Sequence, residues 1–63
     1  MTKFEAVGKI GNRTLAEIIR DFNRQELYVM AQAFDINIVS LQQESVKTIA
    51  RYVYEQCKAA KGK

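Results

Sequence analysis

The chain has no histidine, no proline and no tryptophan, one cysteine and three glycines. Without histidine it lacks the side chain that titrates near neutral pH and the commonest neutral metal ligand, so most acid–base and metal-dependent chemistry loses its usual residues. The lone Cys57 allows neither an internal disulfide nor a cysteine-rich zinc site. No activating neighbour is visible for it, and its spacing puts it on the apolar side of a helix, where a thiol acts as a small hydrophobe. The longest unbroken apolar run, Leu27 to Ala31, falls far short of the roughly 20 residues that cross a bilayer. Nor does Met1–Glu5 hold the long apolar segment of a signal peptide, so a cytoplasmic location without a membrane partner is expected. Neither an enzyme, nor a cofactor, nor a bound metal is expected from such a composition.

What the chain does contain is a globular balance: 63 residues, 48% hydrophobic and 27% charged, enough for a single domain over 1–63 with one small core. Ten basic and seven acidic residues give a net charge of +3, a modest surplus that favours anionic partners.

Apolar residues recur with helical spacing three times: Leu15, Ile18, Ile19 and Phe22; Leu27, Met30, Ala31 and Phe34; Val46, Ile49, Ala50 and Val53, continued by Cys57. Each set is one stripe of an amphipathic helix, and the lack of proline leaves the segments unbroken, which predicts an all-α fold of three helices over about 14–22, 24–35 and 42–60. Capping pairs mark the starts: Thr14 with Glu17, Asn23 with Glu26, and Ser40 with Gln43. A single rod through Phe22 would carry Glu26 onto the apolar face, so a corner is expected there.

Residues 1–13 form an N-terminal arm in which Thr2 and Glu5 can cap one helical turn ended by Gly8, with Phe4 and Val7 folding back onto the core. Gly8-Lys9-Ile10-Gly11 lacks the full phosphate-loop pattern and its preceding strand, and reads as a turn. Residues 36–42 are rich in β-branched types and read as an extended, ordered loop between helices two and three, with Ile36, Ile38 and Leu41 as inward candidates. Tyr28, Tyr52 and Tyr54 lie off the stripes and are expected on the surface.

The third helix carries the candidate site. Lys47, Arg51, Tyr54, Lys58 and Lys61 stand at i, i+4, i+7, i+11 and i+14, a basic row on one side with an aromatic inserted. Such a row suits a nucleic-acid backbone, where cations displace condensed counterions, while Tyr54 offers a surface for a sugar or base. Glu44 and Glu55 flank it. Arg13, Arg20 and Arg24 make a second basic group, locally neutralised by Glu17 and Asp21, and Arg13 is a supporting contact. A helix-turn-helix reading of Ala31, Asp35 and Ile36 fails, because the inward position of the second helix would fall on Glu44.

Over 26–58 the spacing of Leu27, Met30, Ala31 and Phe34, then Asp35-Ile36, Leu41, and Val46, Ile49, Ala50 and Val53 resembles the helix–extended-loop–helix modules. These include SAP domains, LEM-like domains and the N-terminal domain of transcription terminator Rho. The resemblance covers about half the chain. It implies a small nucleic-acid- or protein-binding module whose loop and following helix start meet the partner, here Ser40, Gln42, Gln43 and Lys47. The expected function is therefore non-enzymatic nucleic-acid binding with low sequence specificity, DNA ahead of RNA, through Lys47, Arg51, Tyr54, Lys58, Arg13, Gln42 and Gln43. The alternative is a protein-interaction module, either a small regulator or inhibitor of the kind encoded by phages and mobile elements, or a homodimer.

Overall fold

The computed structural model describes residues 1–62. It contains α1 (Lys3–Ile10), α2 (Leu15–Asp21), α3 (Arg24–Ala33), α4 (Ile38–Leu41) and α5 (Val46–Lys61), with no strand among the described residues. The all-α architecture agrees with the sequence periodicity; the number of helices does not.

Three starts are set by reciprocal capping boxes. Thr2, Thr14 and Asn23 each accept from the backbone N–H of Glu5, Glu17 and Glu26, whose carboxylates accept in return from the cap residue's own N–H. Each box satisfies two of the donors that a helix start leaves without partners. Between α2 and α3 only Phe22 and Asn23 adopt extended backbone, so the expected corner is two residues long.

The N-terminal arm is instead a helix of eight residues. It runs past Gly8 to Gly11, whose φ of 55° and ψ of −129° suit glycine and turn the chain toward α2. Ala6 and Ile10 enter the core and Val7 lies half-buried, but Phe4 is 90% exposed rather than folded back. Helical geometry explains the difference. At 100° per residue Phe4 falls about 160° from Ala6 and about 120° from Ile10, so the helix that buries those two turns Phe4 outward.

The loop between α3 and α5 is also not extended. α3 ends with Asp35 at a φ of 62°, the Asp35 N–H donating to the Gln32 carbonyl (2.9 Å) and the Ile36 N–H to the Ala31 carbonyl (3.0 Å), the double bond of a Schellman stop. Asn37 then caps one helical turn by accepting from the Val39 N–H, and the Ser40 hydroxyl donates to the Asn37 carbonyl. That turn inserts Leu41 into the core and leaves Ile36 and Ile38 half-buried. β-Branched content thus favoured strand-like backbone, but the Asn37 cap and the burial of Leu41 decide for a helical turn. Because Ser40 is used inside α4, α5 starts at Val46 and is capped by Ser45, which accepts from the Thr48 N–H.

One cluster of buried side chains joins all five helices: Ala6 and Ile10, Ile18, Leu27, Met30 and Ala31, Leu41, and Ile49, Ala50, Val53 and Cys57. Leu15, Ile19, Phe22, Phe34 and Val46 pack around its edge. α5 lies against α3 most extensively, then against α2 and α1. At 1.5 Å per residue its 16 residues span about 24 Å, most of the 30 Å long axis of the molecule.

Candidate nucleic-acid interface

The amphipathicity that buries Ile49, Ala50, Val53 and Cys57 dictates where the basic row points. On a wheel of 100° per residue, Lys47, Arg51, Tyr54, Lys58 and Lys61 share an arc of about 80° along one flank of that buried stripe. Lys47, Arg51, Lys58 and Lys61 are exposed, whereas Tyr54 is half-buried and packs against the core. The row therefore presents four cations with a phenol set at their inner edge.

Charge is divided unevenly between this helix and the rest of the chain. α5 holds four basic residues and one acidic residue, while the rest of the sequence holds six basic and six acidic. Lys47, Lys58 and Lys61 have no carboxylate within 4 Å among the described residues. Arg51 does: its Nε lies 3.5 Å from a Glu55 carboxylate oxygen, in a pair whose two side chains are both more than half exposed. Ion pairs of that kind are worth little in water and exchange readily for a stronger anion.

The lower half of the row meets the turn between α1 and α2. Ile10, Gly11, Asn12, Arg13, Tyr54, Cys57, Lys58 and Lys61 line a hollow of about 200 Å³. Three of these residues are basic and none is acidic. The Lys61 ammonium donates to the Gly11 carbonyl, bridging segments 50 residues apart. Arg13 is held from three sides: its Nε lies 3.2 Å from Asp21, a second guanidinium nitrogen donates to the Lys9 carbonyl, and the guanidinium sits 5.3 Å from the centre of the Phe22 ring. Burial pushes the Cys57 thiol up from its ordinary value, against a smaller opposing effect of Lys61, so the floor of the hollow is uncharged at neutral pH.

The expected site residues divide accordingly. Arg13, Tyr54 and Lys58 come together at the hollow, and Lys47 and Arg51 continue the same flank toward the start of α5. Gln42 and Gln43 are exposed in the loop before that start, at the end of the helix away from Lys58. Tyr52 is exposed on another face, and Tyr28, expected on the surface, is half-buried where its hydroxyl accepts from Arg24 at 2.6 Å.

The second basic group dissolves into the fold. Arg20 is bound to Asp21 at 2.9 Å, and Arg24 also donates to the Glu44 carbonyl at 2.7 Å, tying α3 to the loop before α5. The Gly8–Gly11 segment is the end of α1, where the Gly11 N–H is used by the Val7 carbonyl at 2.8 Å. Sequence reasoning missed Gly11 and Asn12 as partners of α5. No local signal marks them, because the contact depends on how α1 docks.

No group of three or more acidic, cysteine or histidine side chains among the described residues could hold a metal, and no helix is long and apolar enough to cross a membrane. Comparison of the chain with protein-family models, curated proteins and solved structures finds no match. The functional reading therefore rests on this geometry.

Proposed function

We propose that this chain is a non-enzymatic nucleic-acid-binding protein that grips the phosphate backbone with the flank of α5, using Lys47, Arg51 and Lys58, with Arg13 and Tyr54 in support. The observation that carries the reading is the concentration of the whole net positive charge on one helix of a chain that is otherwise neutral in balance. From Lys47 to Lys61 the row is about 21 Å long. That length matches about six base-pair steps of 3.4 Å, room for contacts to three to five phosphates.

Double-stranded DNA is the preferred ligand. A duplex concentrates charge more densely than a single strand, and the half-buried Tyr54 leaves no free aromatic platform on this flank for unstacked bases. With no long polar side chains arrayed to read base edges along the flank, sequence specificity is low. Binding should weaken with salt, log affinity falling against log salt concentration with a slope of roughly −2 to −5. The test is fluorescence anisotropy with a labelled 20-base-pair duplex (about two helical turns) at several salt concentrations. K47Q/R51Q/K58Q should lose about a hundredfold in affinity near 0.1 M salt and flatten the slope by about 2 to 3. Unchanged binding would discard the assignment.

A second reading, a protein-interaction module or homodimer, is favoured by Phe4, which stands 90% exposed on α1 with no partner in the fold. In that case sedimentation would reveal a larger species insensitive to salt, and F4S would abolish it while leaving duplex binding unaffected.

A further inference from the structure

We propose that the hollow between the α1–α2 turn and the C-terminal half of α5 is a phosphate seat, in which Arg13, Lys58 and Lys61 bind one phosphate group and Asn12 completes the rim. The proposal deepens the nucleic-acid reading and rests on it for the source of that group, a backbone phosphodiester of the bound duplex.

Several features argue for a built seat rather than a chance gathering of cations. The lining residues carry three positive charges and no negative one, and the nearest acid in contact with them, Asp21, offsets only part of the Arg13 charge from behind. Arg13 is fixed by Asp21, the Lys9 carbonyl and the Phe22 ring, yet a guanidinium has five N–H donors, so donors remain for a ligand. A pre-positioned planar fork loses little conformational freedom when it binds an oxyanion. Lys61 is likewise anchored through one hydrogen bond to Gly11 and keeps two of its three donors. Asn12 has no hydrogen-bond partner among the described residues and stands on the same rim. Beneath them Ile10, Cys57 and the half-buried Tyr54 form an apolar floor, and lower local polarity strengthens each charge-assisted bond. The hollow, at about 200 Å³, is large enough to admit a phosphate group. A phosphate held there fixes the position of the backbone along α5, which the exposed Lys47 and Arg51 alone leave undetermined.

The experiment is a ¹H–¹⁵N NMR titration of the full chain with sodium phosphate, with sodium chloride at matched ionic strength as the control, followed by titration with a short DNA duplex. Phosphate should give saturable shifts confined to the amides of Gly11, Asn12, Arg13, Cys57, Lys58 and Lys61, which chloride does not reproduce. K58Q, which removes a side chain without a hydrogen-bond or ion-pair partner among the described residues, should weaken phosphate binding about fivefold, while K47Q should leave it unchanged. The duplex should move the same hollow resonances as well as those of Lys47 and Arg51. Identical shifts with chloride, or equal losses in K58Q and K47Q, would overturn the seat. A duplex that binds without disturbing Gly11–Arg13 overturns the seat and leaves the nucleic-acid reading standing. Saturable phosphate binding with no duplex binding does the reverse, keeping a seat for free phosphate and removing its backbone source.

Discussion

Of the five basic residues in 1–45, four are held by groups of that same segment: Lys3 by Asp35, Arg13 and Arg20 by Asp21, and Arg24 by the Glu44 carbonyl and Tyr28. Three of its six acids close capping boxes. In α5, by contrast, Arg51 alone meets a carboxylate among the described residues; Lys47 and Lys58 face solvent, and Lys61 donates only to the Gly11 carbonyl. The first region uses charge as part of its architecture, satisfying helix ends and stitching short helices together. Apart from the Lys61 bond to Gly11, the second carries charge that its packing does not use, since Ile49, Ala50, Val53 and Cys57 fasten it to the core. Charge left over from folding is free to act on a partner, and this contrast can be broken experimentally from either side.

The largest effect is expected in α5. K47Q/R51Q/K58Q, besides its loss of duplex affinity, should leave the urea midpoint almost unchanged, because exposed substitutions away from structural contacts stay within about 0.5 kcal/mol. A large loss of stability would show that the row serves the fold after all. The mirror experiment is R24A, which removes both the bond to Tyr28 and the tie to Glu44. It should destabilise by about 2 kcal/mol and leave the duplex affinity of the folded protein intact.

A smaller effect, about 1 kcal/mol, is expected for T14A, which opens the α2 capping box. Its partner supplies a pH test. The Glu17 carboxyl is held below its ordinary value by hydrogen bonds from Thr14, with Arg20 adding attraction; Asp21 is lowered chiefly by Arg20 and further by Arg13. Because the folded values lie below the unfolded ones, the stability these groups contribute is complete above the unfolded carboxylate range. It is lost as pH falls through the folded values. E17Q should flatten the acid limb of a stability–pH curve; an unaltered limb would mean that the box contributes nothing.

The smallest effect has the opposite sign. Asp35 sits at a φ of 62°, where glycine is at ease and a side chain is not, and its ion pair with Lys3 is exposed and long at 3.7 Å. D35G should stabilise by about 0.5 kcal/mol after allowing for the greater freedom of glycine in the unfolded chain. Chemical denaturation resolves that difference, and a destabilised D35G would show that the Lys3 contact outweighs backbone strain.

The uneven success of sequence reasoning follows from the range of the forces involved. The stripes of α2, α3 and α5 and the caps at Thr14 and Asn23 were legible because both are local: a helical face repeats within a few residues, and a capping box closes over three. α1 was underread because one turn was credited to Thr2 and Glu5 when two form. The α4 turn was hidden by β-branched residues whose preference lost to a cap and a buried leucine. In the candidate site, the row on α5 could be drawn from spacing, but Tyr54 was assigned outward although it lies at the edge of the core. Arg13 was chosen as a cation without any sign of the Asp21, Lys9 and Phe22 contacts that hold it.

The sequence by itself determined that this protein is helical, which apolar stripes its longer helices bury and which residues of the last one share a basic side, since these depend on periodicities that each segment carries alone. It did not place the start of that last helix, expected near 42 and found at Val46. Only the tertiary structure decided that the α1–α2 turn docks beside Lys58 and Lys61 and that Phe4 is left in solvent. It also decided which arginines are bound within the fold and which lysines remain free. Those outcomes depend on contacts between residues up to 50 positions apart, set by how the helices share one small core rather than by any pattern along the chain.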